Sequence, residues 1–331
     1  MPFRLMRSTR VAAPASGSDD AHSRNRRPHR RQLAGLLALT AAIATVPFGA
    51  GAAASAAGSA TTITTRSGPF GTMLVAGSGK FAGYSLYLIT SDRGTNYGCT
   101  AKVFKLGPGT SLSCTGPASS QNAEWPALTT SGPPVAGPGV SQKLLGTVKR
   151  AGIGTQVTYA GHPLYLFDQK PGPVSGEGWF EPTVPPWHGV WYPISAQGLP
   201  VPWAGMVTLA PIAGKTVLTA QMYDGNALHD FPVYSLSSDS AGKSVCTSSC
   251  AATWPPLLTS GAPGLTKPLA TSNFGTVKRP DGTVQVTYRG KPLYLYSLET
   301  VVKTGAGGGQ AVGSGNGVKG PDGGTFSLVT P

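Results

Sequence analysis

The sequence is poor in charge. Only 12% of its 331 residues are Asp, Glu, Lys or Arg, about half the share usual in soluble domains, which argues against a bundle of long helices. Uninterrupted helical stretches are scarce too, because 46 Gly and 30 Pro break up the chain and favour turns and strands. The apolar run from Leu33 to Val46 has 14 residues, short of the roughly 20 that a membrane-spanning helix needs. Catalytic signatures are missing as well. There is no G-x-S-x-G elbow, no H-E-x-x-H and no phosphate loop. Gly315 to Gly320 spells G-x-G-x-x-G only within a Gly-rich stretch that no helix follows, so a dinucleotide site is excluded.

What is present starts with an uneven charge. The formal net charge is +13, yet residues 1–57 hold eight Arg against two acids, Asp19 and Asp20, leaving 18 Lys and Arg against 11 Asp and Glu afterwards. Those later charges are scattered rather than striped, so no nucleic-acid partner is expected. Residues 1–57 read as a signal peptide with a basic n-region: an Arg-rich stretch ending in Arg30-Arg31, the apolar run, then Ala54-Ser55-Ala56 as an A-x-A-type cleavage site. Secretion by the Sec route, or through Arg30-Arg31 by the twin-arginine route, is expected. The mature chain should carry no transmembrane segment, and no lipobox cysteine closes the apolar run.

The four cysteines all follow this leader. An even count in an oxidising compartment favours disulfides, within each half as Cys99 to Cys114 and Cys246 to Cys250. Trp125 and Trp254 each lie just before a Pro and downstream of a Cys. They are expected to pack on the bridges and close a core.

The chain also repeats itself. Residues 146–167, GTVKRAGIGTQVTYAGHPLYLF, return at 275–296 as GTVKRPDGTVQVTYRGKPLYLY, an offset of 129. Upstream the offset is 147, carrying Tyr87 to Tyr234, Asp92 to Asp239 and Cys99 to Cys246, so the first copy holds an 18-residue insertion within 100–120. Four shorter stretches end alike at Tyr87, Tyr165, Tyr234 and Tyr294, each followed two positions on by Ile89, Phe167, Leu236 or Tyr296. That is strand periodicity, with both residues on one face. The expected fold is all-β: two tandem modules, 58–205 and 206–331, of short antiparallel meanders with a short helical turn near each Cys/Trp-Pro segment. Four similar meanders would also suit one pseudo-fourfold, propeller-like closed unit.

Together the Tyr-x-aromatic-x-x-Asp pattern, the Cys pair, Trp254-Pro255-Pro256 and the Gly-Thr-x-x-Arg…Gln-Val-Thr-Tyr-x-Gly-x-Pro-Leu-Tyr block resemble the secreted repeat, or predicted lipoprotein, family named for its Y-x-[FWY]-x-x-D motif. The resemblance covers nearly all of residues 72–331. It implies an exported protein of actinobacterial type with the unit in tandem, and no activity, since the family is described as being of unknown function. Two departures stand out. The aromatic position holds Ile89 and Leu236 in two stretches, and the acid position holds Asp92 and Asp239 in two but Lys170 and Glu299 in the others.

Tyr87, Tyr165, Tyr234 and Tyr294 read as strand residues that bury a ring and give the hydroxyl a partner, with a ligand groove as the alternative. Asp92 and Asp239 follow strand ends, where short acids cap turns. His229, Asp230 and Asp239 would make a partial transition-metal site; apart from a metal ion there, no cofactor is expected. The segment 179–203 holds Trp179, Trp187, Trp191 and Trp203 among six Pro, a candidate surface for a cell-wall glycan or an envelope protein, or else a cover for a thin core. The reading is an exported, non-enzymatic binding or structural protein. A metal-binding or redox-related secreted protein is the alternative, and a hydrolase a further one.

Overall fold

The computed structural model describes residues 60–68, 71–107, 110–117, 123–167, 187–202, 206–224, 227–303 and 309–331. The expected leader, 1–57, lies outside them, as do Trp179 and Trp203.

In chain order the strands of the first half are β1 (Thr62–Gly68), β2 (Gly71–Ala76), β3 (Tyr87–Ile89), β4 (Val103–Gly107), β5 (Thr110–Ser113), β6 (Val135–Ala136), β7 (Leu145–Arg150), β8 (Gly154–Tyr159), β9 (His162–Pro163) and β10 (Trp191–Pro193). The second half continues with β11 (Met206–Ile212), β12 (Lys215–Asp224), β13 (Ala227–Pro232), β14 (Tyr234–Leu236), helix α1 (Ser249–Thr253), β15 (Gly264–Leu265), β16 (Phe274–Lys278), β17 (Val284–Tyr288), β18 (Lys291–Pro292), β19 (Val301–Lys303), β20 (Gly309–Ala311) and β21 (Phe326–Leu328).

One pairing scheme occurs in both halves. Hairpin β1/β2 takes β6 as a parallel neighbour, as hairpin β11/β12 takes β15. Strand β3 pairs antiparallel with β10, and β14 with β21. The meanders β7-β8-β9 and β16-β17-β18 complete the scheme. Their second turns are Ala160-Gly161 and Arg289-Gly290, with φ of 49° and 82°, and of 46° and 78°. Two successive positive φ values make a type I′ turn, whose twist suits a two-residue hairpin.

Strand alternation divides the interior into three. Leu86, Leu88, Leu164, Leu166, Val233, Leu293 and Leu295 enter a central apolar core. Their neighbours Tyr87, Ile89 and Tyr165 face a first aromatic cluster, while Tyr234, Leu236 and Tyr294 face a second. A period of two is what sends adjacent side chains to opposite faces. The central core takes residues from both halves, Ile63 and Val157 beside Val217 and Val286, and 56–331 form one compact unit.

The chain is all-β, with one correction. Each sheet among the described residues has two to four strands, and none closes into a barrel or propeller, because apolar area is buried between small sheets instead of around a ring. The expected helical turn is present in the second half as α1, while in the first half residues 118–122, just before Trp125, lie outside the described residues. Only four positions separate Cys246 from Cys250, the reach of one turn, whereas Cys114 sits just after β5, where parallel bridges join Ser113 to Ala123 and Pro117 to Ala127.

Candidate functional site

The repeated tyrosines meet across the strands that carry them. Tyr234 and Tyr294 face each other in an antiparallel bridge, each N–H donating to the other's carbonyl at 2.9 Å. Tyr294 donates its hydroxyl to Asp239 Oδ2 at 2.6 Å, while Tyr234 donates to Glu299. Each ring therefore binds the acid of the other's stretch. Glu299 also accepts from the Gly313 and Ser314 N–H groups, both at 2.8 Å, and Asp239 from Val245 N–H at 2.8 Å. In the first half Tyr87 and Tyr165 form the same bridge, and Tyr165 donates to Asp92 Oδ2 at 2.6 Å. Asp92 Oδ1 accepts from Gly98 N–H at 2.7 Å and Cys99 N–H at 3.3 Å. Asp92 and Asp239 thereby organise the loops that lead to Cys99 and Cys246.

An arginine and a glutamine, neither among the site residues expected from the sequence, complete each network. Arg279 donates to Gln285 Oε1, to Ser244 Oγ and to the Cys246 carbonyl, each at 2.7 Å, and Gln285 donates on to the Leu293 carbonyl. Arg150 reaches Gln156 and the Tyr165 hydroxyl, both at 2.7 Å, and the Cys99 carbonyl. Where Ser244 stands in the second half, Tyr97 lies under the Arg150 guanidinium, 4.1 Å from plane group to ring centre. The signal was available: Arg150 and Gln156 recur as Arg279 and Gln285 at the 129-residue offset.

Burial sets the electrostatics. It pushes the Asp92 and Asp239 carboxyls above the usual range, against the pull of their hydrogen bonds. It also pushes the Tyr165, Tyr234 and Tyr294 hydroxyls up, with help from the neighbouring carboxylates, so the tyrosines remain donors. His162 bonds the Asp92 carbonyl as Lys291 bonds the Asp239 carbonyl. Burial, with Arg93 nearby, brings the His162 imidazole down to about 4.

Beside each network lies a disulfide under an aromatic stack. Cys99 is bridged to Cys114 and Cys246 to Cys250. Trp125 stacks on Trp191 at 3.8 Å and 5°, with Phe167 on its other side at 4.5 Å. Trp254 stacks on Phe326 at 3.6 Å and 5°, with Tyr296 at 4.2 Å. Trp187 and Trp191 are both 0% exposed. Of the two readings of this segment, the burial of these rings fits a cover for the core: the flat indole of Trp191 lies against Trp125, and Trp187 meets Phe104 edge-on at 5.2 Å.

The expected metal triad does not converge. Asp239 spends its carboxylate on Tyr294 and Val245, His229 and Asp230 lie on β13, and no group of three His, Cys, Asp or Glu among the described residues is placed to hold an ion.

Two shallow hollows of about 340 and 370 Å³ lie at equivalent places in the two halves. Ser131 to Pro134 and Leu145 to Thr147 line the first, Ser260 to Pro263 and Phe274 to Thr276 the second. Each therefore runs between a Pro-containing loop and an outer strand, β7 or β16.

This arrangement defines an all-β protein whose repeated polar residues brace disulfide-bonded aromatic clusters. Residues 275–312 match a family described as a secreted repeat of unknown function. No curated protein and no solved structure matches the chain. Disulfides persist in oxidising compartments, in keeping with a secreted family.

Proposed function

We propose that this is an exported, non-enzymatic binding or structural protein of the extracellular space or cell envelope, built from two copies of the repeat and released from a leader at 1–57. One observation carries the reading. The groups that recur between the halves, Tyr165 and Tyr294, Arg150 and Arg279, Gln156 and Gln285, Asp92 and Asp239, are buried and bonded to one another. Chemistry spent on internal hydrogen bonds makes a scaffold, and the repetition is of that scaffold. The copies are supported by matching bonds: Val157 N–H to Leu128 and Val286 N–H to Leu257, both 2.8 Å, and Leu166 N–H to Pro126 and Leu295 N–H to Pro255, both 2.8 Å.

The test is pull-down from cell-wall and envelope fractions with the mature protein, together with elemental analysis and titration against muropeptides and divalent metals. Saturable retention of one glycan or envelope protein is expected. Stoichiometric metal, or turnover of a wall fragment, would replace the reading with a metal-binding or hydrolytic one.

A further inference from the structure

The two hollows border strand edges that are open. In the meander β7-β8-β9, β7 is outermost, and β16 holds the same place in β16-β17-β18. The pairing register shows which backbone groups face outward. Ala160 N–H donates to the Leu144 carbonyl, and this bonded pair fixes Gly146, Val148 and Arg150 as the residues of β7 bonded to β8. In the second half Arg289 N–H donates to Asn273 and Arg279 N–H to Thr283, so Gly275, Val277 and Arg279 are bonded to β17. The N–H and C=O groups of Leu145, Thr147 and Lys149, and of Phe274, Thr276 and Lys278, are therefore turned away from their own sheets. None of them has a backbone or side-chain hydrogen bond among the described residues. An unpaired edge of this kind is a template for another strand.

Charge selects what is added. Lys149 and Lys278 are exposed on the edges themselves, and Lys143 stands beside Gln142 in the first hollow's wall. No acid occurs anywhere in 125–167 or 240–280. Two copies of this chain pairing edge to edge would set Lys against Lys, which is unfavourable. An acidic strand meets complementary charge. The hollows have the size of ordinary ligand clefts, and their Ser, Gly, Pro and Thr linings offer no deep side-chain pocket, so recognition would be of backbone and charge.

We propose that β7 and β16 are two equivalent docking edges, each of which takes an extended acidic peptide by strand addition, with main-chain hydrogen bonds to Leu145, Thr147 and Lys149 or to Phe274, Thr276 and Lys278. This deepens the binding-protein reading and rests on it.

The probe is a fluorescent, acetylated octapeptide alternating Glu with Val and Thr, compared with its Lys-for-Glu counterpart, by anisotropy on the mature protein at low and high salt. Two acidic peptides should bind per chain, and raising the salt from 50 to 500 mM should weaken them at least tenfold. Thr147→Pro and Thr276→Pro each remove an outward N–H without touching the internal ladder, a substitution an edge strand accepts. Each should abolish one site and leave the thermal midpoint within a few degrees. Hydrogen exchange on the unmutated protein gives an independent reading: the Leu145, Thr147, Lys149, Phe274, Thr276 and Lys278 amides should slow when peptide is added. Equal binding of the Lys peptide, unchanged exchange at these amides, or a concentration-dependent dimer in place of peptide binding would overturn the proposal. Retention of an envelope ligand in such a case would leave the binding-protein reading standing without these edges, whereas silence in both experiments would remove both.

Discussion

Tyr294 and Asp239 are 55 residues apart in sequence and 2.6 Å apart in space. The tyrosine closing one motif stretch completes its hydrogen bond on the acid that follows another, and Tyr234 and Glu299 make the reverse exchange. Because both partners are buried, neither has water to fall back on, and removing one strands the other.

Tyr294→Phe and Tyr165→Phe should each lower stability by about 1–3 kcal/mol, the cost of leaving a buried acceptor unpaired. Urea unfolding of each variant measures this. In combination with Asp239→Asn, Tyr294→Phe should cost less than the two single losses together, since the residues share one interaction. Simple additivity would show that the pair is not coupled.

The aromatic stacks should be more sensitive still. Trp254→Ala takes away the ring between Phe326 and Tyr296 and leaves a void beside the Cys246–Cys250 bridge. Removal of so large a buried side chain costs about 3–5 kcal/mol. A midpoint change of only a degree or two on thermal unfolding would contradict the placement of this ring in the core.

Much of this interior is legible along the chain. The alternation around Tyr87, Tyr165, Tyr234 and Tyr294 marks strands, and the even cysteine count with its short spacings points to Cys99–Cys114 and Cys246–Cys250. The exchange of acids is not legible, because it depends on which strand lies beside which, and local periodicity carries no pairing information. Trp187 and Trp191 read from the sequence either as a ligand surface or as a cover for a thin core, because local composition does not fix burial. The equivalence of Gly189-Val-Trp191 and Gly324-Thr-Phe326 is legible in the sequence, and Trp191 takes, in the first half, the stacking position Phe326 takes in the second. The insertion after Cys99 similarly hides the hairpin β4/β5, which the second half has no counterpart for among the described residues.

His162 predicts an acid limb in the stability profile. Its imidazole titrates near 4 in the fold and near 6.5 when unfolded, so the unfolded chain binds the extra proton. Its contribution is complete above about pH 6.5 and is lost as pH falls through about 4. Asp92 and Asp239 run the other way. With their folded values raised, their contribution is complete below the usual carboxylate range and declines as pH rises through the folded values. Thermal midpoints from pH 4 to 7 should show His162→Gln flattening the slope in that window. An unaltered slope would place its origin elsewhere.

The two bridges should contribute unequally. Sequence separations of 15 and 4 correspond to about 3 kcal/mol for Cys99–Cys114 and about 2 kcal/mol for Cys246–Cys250 in the chain-entropy estimate. Denaturant unfolding of the paired Cys→Ser variants tests the order. A greater loss in the second half would show that the arginine anchored on the Cys246 carbonyl depends on its bridge more than loop length implies.

Separate expression of 58–205 and 206–331 should yield chains that fold poorly alone. Each half would expose its share of the central core, where Ile63 and Val157 now lie with Val217 and Val286. Sharp, independent unfolding transitions from both isolated halves would show instead that each module is self-sufficient.

The exchanged tyrosine–acid pairs also determine what can be cut out and transplanted. A six-residue motif grafted onto another scaffold carries a ring without its acceptor and an acceptor without its ring. The smallest portable piece from the second half must span at least Tyr234 to Glu299, and reaching Phe326 brings the other face of the tryptophan sandwich with it. Chimeras that join halves of different repeats will therefore tolerate a crossover before Tyr234 far better than one between the two tyrosines.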